Sequence, residues 1–157
     1  MKPYYDHKGI TIYHGDCREI LPELEPVDLV LTDPPYGIGM SLRGTLGSPN
    51  KAMPTDYGKS DWDIKPVPQE DINKVVSMGR AACVWGGNYY SFPPSSCWLV
   101  WDKQNTGGYA DCELAWTNYP MAVRMKRHMW NGMIRVDHET RFHPTQNWNP
   151  RSALRSS

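Results

Sequence analysis

VDLVLTDPPYG, residues 27–37, decides the fold. Its first six residues form a short apolar run rich in branched side chains, the pattern of a strand buried in a parallel sheet. Asp33-Pro34-Pro35-Tyr36 then stops the strand, because two consecutive prolines cannot continue a central ladder. The stretch predicts a rigid loop at the carboxyl end of a buried strand. Open α/β sheets bind their ligands at that end.

Upstream, ITIYH (10–14) reads as a short strand. CREILPEL (17–24) reads as a helix with Ile20, Leu21 and Leu24 on one face and Asp16 as its N-cap. Downstream, residues 37–68 are rich in Gly, Pro and Ser with no sustained period, which predicts a long loop of the functional or disordered kind. QEDINKVVSMGR (69–80) is helical in pattern, with Ile72, Val75, Val76 and Gly79 inward. A strand AACVW (81–85) follows, then a turn at Gly86-Gly87-Asn88, then a strand CWLVW (97–101) ending in Asp102-Lys103. ELAWT (113–117) and MAVRM (121–125) alternate as a strand pair around Asn118-Tyr119-Pro120. The class is α/β, with neither internal repeats nor a second domain.

The chain has 157 residues, a length suited to one domain that buries about 68–70% of its unfolded surface. Seven Trp, nine Tyr and 22% charged residues argue for a folded chain. An apolar run long enough to span a membrane is absent, and MKPYYDHKGI lacks the apolar region of a signal peptide, so a cytoplasmic address is expected. The zero net charge is uneven. Residues 1–119 carry ten Lys+Arg against fifteen Asp+Glu, and residues 120–157 carry seven against two. A basic segment on an acidic body points either to an anionic partner or to a solvated tail. Cys17, Cys83, Cys97 and Cys112 have no C-x-x-C spacing, and the five histidines form no ligand pattern; free thiols and no metal are expected.

Asp-Pro-Pro-Tyr supplies a carboxylate, a fixed backbone carbonyl and an aromatic face. These suit an exocyclic amine on a planar base, a poor nucleophile whose lone pair is shared with the ring. Asp33 and the Pro34 carbonyl can each accept one of its N–H bonds, favouring a tetrahedral nitrogen with its lone pair free. Tyr36 can stack on the base, a contribution of about 1–3 kcal/mol in single-strand binders. The prolines hold the acceptors in place before the base arrives. The alternative is a plain Pro-Pro turn closing a strand.

YHGDCREILPELEPVDLVLTDPPYG (13–37) resembles the opening of site-specific DNA amino-methyltransferases of the N6-adenine/N4-cytosine group. The resemblance continues in order through VWGGNYY (84–90), CWLVWDK (97–103), ELAWTN (113–118) and HPTQ (143–146). It implies a Rossmann-like sheet, S-adenosylmethionine as cofactor, double-stranded DNA as partner and a target base flipped from the duplex. By motif position Asp33, Pro34, Pro35 and Tyr36 are its catalytic loop, with Asp33 also facing the cofactor. Asp16 matches a cofactor-contacting acid, the other reading being its N-cap. His143, Pro144, Thr145 and Gln146 border the cofactor site. Asp at the first catalytic position favours adenine over cytosine. Residues 123–142 lie where the family places target recognition. There Arg124, Lys126, Arg127 and Arg135 would meet phosphates, with Trp130 or Met133 near bases; a solvated hairpin is the other reading. Asn88 reads as a turn residue near the pocket. Lys103, Trp85, Trp98, Trp101 and Trp116 read as packing.

The sequence also departs from the family. HPTQ normally continues into Lys-Pro and an apolar helix, whereas here it runs Asn147-Trp148-Asn149-Pro150-RSALRSS. The glycine-rich cofactor loop expected next has no counterpart; the one G-x-G is Gly37-Ile38-Gly39, attached to the tetrapeptide. The expected architecture is thus a partial S-adenosylmethionine-dependent methyltransferase sheet lacking most of its cofactor-binding half. Residues 1–146 would form the catalytic and target-binding region and 147–157 a disordered polar tail. Weak activity alone and an unpaired sheet edge open to self-association or a complementing chain follow. The rival reading is a non-catalytic DNA-binding remnant or one half of a split enzyme. RNA methyltransferases, a third class, usually place the glycine loop before the tetrapeptide.

Overall fold

The computed structural model describes residues 1–39, 42, 45–48, 52–56, 61–104 and 110–129. The fold is mixed α/β. Its centre is a five-stranded mixed sheet of β3 (Val27–Thr32), β6 (Gly79–Trp85), β8 (Cys112–Thr117), β7 (Trp98–Asp102) and β9 (Arg124–Arg127), in that spatial order. β3 and β6 pair in parallel with Leu31 opposite Cys83. β8 is antiparallel to both neighbours, with Val84 opposite Trp116 and Trp98 opposite Trp116. β9 lies parallel to β7 with Trp101 opposite Lys126. Two hairpins lie outside this sheet: β1 (Tyr5–His7) with β2 (Ile10–Ile12) before β3 in sequence, and β4 (Thr45–Ser48) with β5 (Ala52–Asp56) between β3 and β6.

A core cluster lies on one face of the sheet, and Cys83, Ala115, Thr117 and Trp101 are buried on the other. Ala82, Val84 and Trp116 are buried in the cluster, with Val30, Val76, Phe92 and Trp98 packed on them. Phe92 and Trp116 stack at 4.3 Å between ring centroids, and the Trp116 indole N–H donates to the Pro93 carbonyl at 3.0 Å. Helix α2 (Gln69–Ser77) turns Ile72, Val75 and Val76 inward as its 3.6-residue period requires, and Ile72 is fully covered. Burying one such side chain contributes about 1.5–3 kcal/mol. The helix stops short of Gly79, which instead opens β6. A Cβ there would lie 2.6 Å from the Ala81 carbonyl and 2.9 Å from Val30, so only glycine permits this approach of the two strands.

Several sequence expectations are corrected. The run Val27–Thr32 is parallel as expected but, among the described residues, is an edge strand and not a buried one. Val27, Leu29 and Leu31 on its outer face are 45%, 49% and 66% exposed, and only Val30 on the other face joins the core. The helix over 17–24 is α1 (Cys17–Ile20) followed by a 3-10 turn at Leu21–Glu23, because Pro22 has no N–H to continue the α ladder. The strand at 10–14 is shorter and belongs to a hairpin whose turn uses positive φ at Lys8 and Gly9. The 37–68 loop contains the β4–β5 hairpin. ELAWT and the following strand are not partners. Asn118 is bound to β6, accepting from the Ala82 N–H at 2.8 Å, and both edges of β8 are already taken, so β9 pairs with β7. Arg135, His143, Pro144, Thr145, Gln146, Trp130, Met133 and the 147–157 tail lie outside the described residues. All four cysteines are free, Cys83 and Cys97 buried, and burial pushes the Cys83 thiol up to about 11.

Candidate active site

The strand directions gather one rim of chemistry. β3, β6, β7 and β9 end there and β8 begins there, so Asp33, Gly86, Lys103, Glu113 and Arg127 share the carboxyl end of the sheet. A surface cleft lined by Pro26, Val27, Asp28, Met78, Gly79 and Arg80 lies at the opposite end and shares no residue with this rim.

The tetrapeptide is fixed from several sides. Pro34 is buried. The Pro35 carbonyl accepts from the Tyr90 hydroxyl at 2.7 Å and from the Val67 N–H at 3.3 Å. Among the described residues no donor reaches the Pro34 carbonyl. The next residues are strapped by segment 61–67. Buried Asp63 accepts the Gly37 N–H at 3.0 Å, its own carbonyl accepts the Gly39 N–H at 2.9 Å, and Tyr36 makes a β-bridge to Pro66.

Tyr36 donates its hydroxyl to Asp33 Oδ1. Its ring lies flat on Tyr89, 4.8 Å between centroids and 10° between planes. Gly86 lets the ring sit there. Its φ is +63°, and a Cβ would fall 2.0 Å from Tyr36 Cε1. Burial pushes the Tyr36 phenol far up, and the Asp33 carboxylate adds to the rise, so Tyr36 stays a donor. Asp33 remains open to solvent on one side. Burial raises its carboxyl above the ordinary aspartate value; the Tyr36 hydrogen bond opposes this, the Glu113 charge adds to it and the Lys103 charge reduces it. Lys103 and Glu113 form an ion pair across β7 and β8, and the ammonium sits 5.2 Å from the Trp101 ring centroid. Lys103, read from sequence as packing, therefore belongs to the rim's electrostatics.

Of the other sequence-selected residues, Asp16 caps α1. It accepts the Arg18 backbone N–H at 2.9 Å and pairs with the Arg18 guanidinium, which lowers its carboxyl to about 2. Arg124, Lys126 and Arg127 are exposed on the outermost strand, Arg127 lying 3.4 Å from Asp102. Asn88 is exposed in the 3-10 turn Gly87–Tyr89. Gly86, Tyr89, Tyr90 and Asp63 were missed by sequence reasoning; the aromatic pair following Gly-Gly-Asn was the available signal.

The described residues do not form a cradle for S-adenosylmethionine. Gly37 and Gly39 both have positive φ, but their N–H groups are spent on Asp63, and Pro66 fills the space above Gly37 with Cδ 2.5 Å from where a Cβ would stand. Asp16 is engaged by Arg18. Among the described residues no group of three or more His, Cys, Asp or Glu is placed to hold a metal, and no helix is long and apolar enough to cross a membrane.

The chain is similar to the type II methyltransferase M.ScaI of Streptomyces caespitosus, 43% identical over 47 residues. The match covers 29% of this chain and 16% of that enzyme's length. It relates the chain to methyltransferases. No protein-family model matches the chain, and no solved structure matches it.

Proposed function

We propose that the carboxyl rim binds the exocyclic amine of a flipped base in DNA, adenine before cytosine, for methylation at that nitrogen. The observation that carries this reading is the state of the two prolines. Pro35 is locked by two donors, while among the described residues none reaches the carbonyl of Pro34, the residue that follows Asp33. An amine would give one N–H to Asp33 and the other to Pro34. A hydrogen bond to a charged acceptor contributes about 1.5–3 kcal/mol, which helps hold the amine and favours a tetrahedral nitrogen. The similarity to M.ScaI supports methyl transfer as the chemistry.

S-adenosylmethionine is the methyl donor this reading requires, supplying an electrophilic methyl group. The described residues lack its cradle, so residues outside them, His143–Gln146 among these, would have to complete it. The Rossmann-like sheet of the amino-methyltransferases is the architecture this reading assigns to the five strands.

A second reading has its own observation. Among the described residues β3 is an edge strand, and Val27, Leu29 and Leu31 on its outer face are exposed, so a complementing segment, from another chain or a second copy, would pair with the edge and cover that face. Under that reading the chain alone binds DNA in a salt-dependent way and takes up no cofactor. Calorimetric titration with S-adenosylmethionine separates the two. One-site binding by the chain supports the enzyme reading, and DNA binding without cofactor binding supports the complemented one. Preferential labelling of tRNA or rRNA over duplex DNA would overturn DNA as substrate.

A further inference from the structure

The stack of Tyr36 on Tyr89 has the geometry of a base on an aromatic ring, 4.8 Å and 10°. The turn after β6 supplies the ring that lies on Tyr36. The two rings are held very differently. Tyr36 is anchored by its hydroxyl on Asp33, its bridge to Pro66 and the glycine seat at Gly86. Tyr89 is 50% exposed and lies at the end of a three-residue 3-10 turn. Its neighbour Tyr90 is tied to Pro35 and leans on Phe92 at 6.2 Å between centroids, so the chain beyond Tyr89 stays fixed if Tyr89 moves.

We propose that Tyr89 is a placeholder for the base: its ring covers Tyr36 until a planar base enters, and the base then displaces it. This rests on the base-binding reading above. Displacement costs the stack and little else, because half of the Tyr89 surface is already in water. The incoming base regains a stack of the same kind on Tyr36. Its amine then shares the Asp33 carboxylate with the Tyr36 hydroxyl, which keeps the platform ring in place. The substitution of one ring for another also favours flat heterocycles over other amines.

The test uses the full chain and a short single strand carrying one 2-aminopurine, whose fluorescence is quenched on stacking. 3-Fluorotyrosine at position 89 reports in 19F NMR whether that ring leaves Tyr36. Binding should quench the fluorophore and shift the position-89 resonance together. Tyr89→Ala should bind the probe several-fold tighter, Tyr89→Phe should bind like the unaltered chain, and Tyr36→Ala should lose the quenching. Quenching with an unmoved position-89 resonance, or weaker binding by Tyr89→Ala, overturns the placeholder and leaves base binding standing. Absence of quenching in every variant overturns base binding and the placeholder with it.

Discussion

The Tyr36 hydroxyl donates to Asp33 Oδ1 across the turn that the two prolines impose, so the phenol and the carboxylate of the tetrapeptide are engaged with each other. Burial raises the Asp33 carboxyl above its ordinary value of 3.8. A carboxylate whose folded pKa is raised holds more protons in the folded chain than in the unfolded one. Its ionisation therefore lowers stability as pH rises from the unfolded value through the folded one. Base binding needs the ionised form, so binding should fall on acidification with a midpoint above 3.8. Asp33→Asn should remove this pH dependence, lose most base binding and melt no lower than the unaltered chain at neutral pH. Fluorescence titrations across pH and thermal melts check both.

Gly86→Ala should destabilise the chain by about 1–3 kcal/mol, since it adds a Cβ at positive φ and drives it into the Tyr36 ring. At about 2–4 °C per kcal/mol, thermal denaturation should show a drop of several degrees. Gly9→Ala, also at positive φ but with nothing within 4 Å, should cost less.

Asp63 is buried and holds the Gly37 N–H. Asp63→Ala should cost about 1–3 kcal/mol by leaving that donor unpaired, and Asp63→Asn, which keeps an acceptor, should cost less. Urea unfolding measures the difference.

Arg124, Lys126 and Arg127 lie exposed on β9. If they meet phosphates, each Gln substitution should weaken duplex binding without sequence preference and flatten the log–log salt dependence by about one. Filter binding at several salt concentrations reads the slope.

Leu31 is 66% exposed on the uncovered face of β3. Leu31→Lys should reduce self-association or capture of a complementing strand while leaving the melting temperature nearly unchanged, as charged edge residues do in natural sheets. Light scattering against concentration checks it.

The local features of the site were legible in sequence because they are local. A branched apolar run ending in two prolines can only be a strand that stops, and its parallel pairing follows from the helix that succeeds it. Asp16 as a cap was legible for the same reason: its carboxylate bonds a neighbour two residues away. Strand order was not legible, since it depends on pairings between distant residues. The composition of Val27–Thr32 is that of a central strand, yet its place at the edge is set by β6 lying between it and β8. The β1–β2 hairpin was missed because Lys8-Gly9 is a weak form of the turn that Asn-Gly signals strongly. Tyr89 was missed because its partner lies far back in sequence and only the fold brings the rings together.

The central claim is that Asp33 and the Pro34 carbonyl each take one N–H of an exocyclic amine. The most direct measurement compares the affinity of the chain for 2′-deoxyadenosine and for its N6,N6-dimethyl derivative, which stacks alike but has no N–H to give. Two lost hydrogen bonds predict at least a tenfold preference for 2′-deoxyadenosine, the equivalent of about 1.4 kcal/mol, and a smaller preference in Asp33→Ala, where the Pro34 carbonyl alone accepts. Equal affinity for the two nucleosides, or a preference undiminished in Asp33→Ala, would contradict the account.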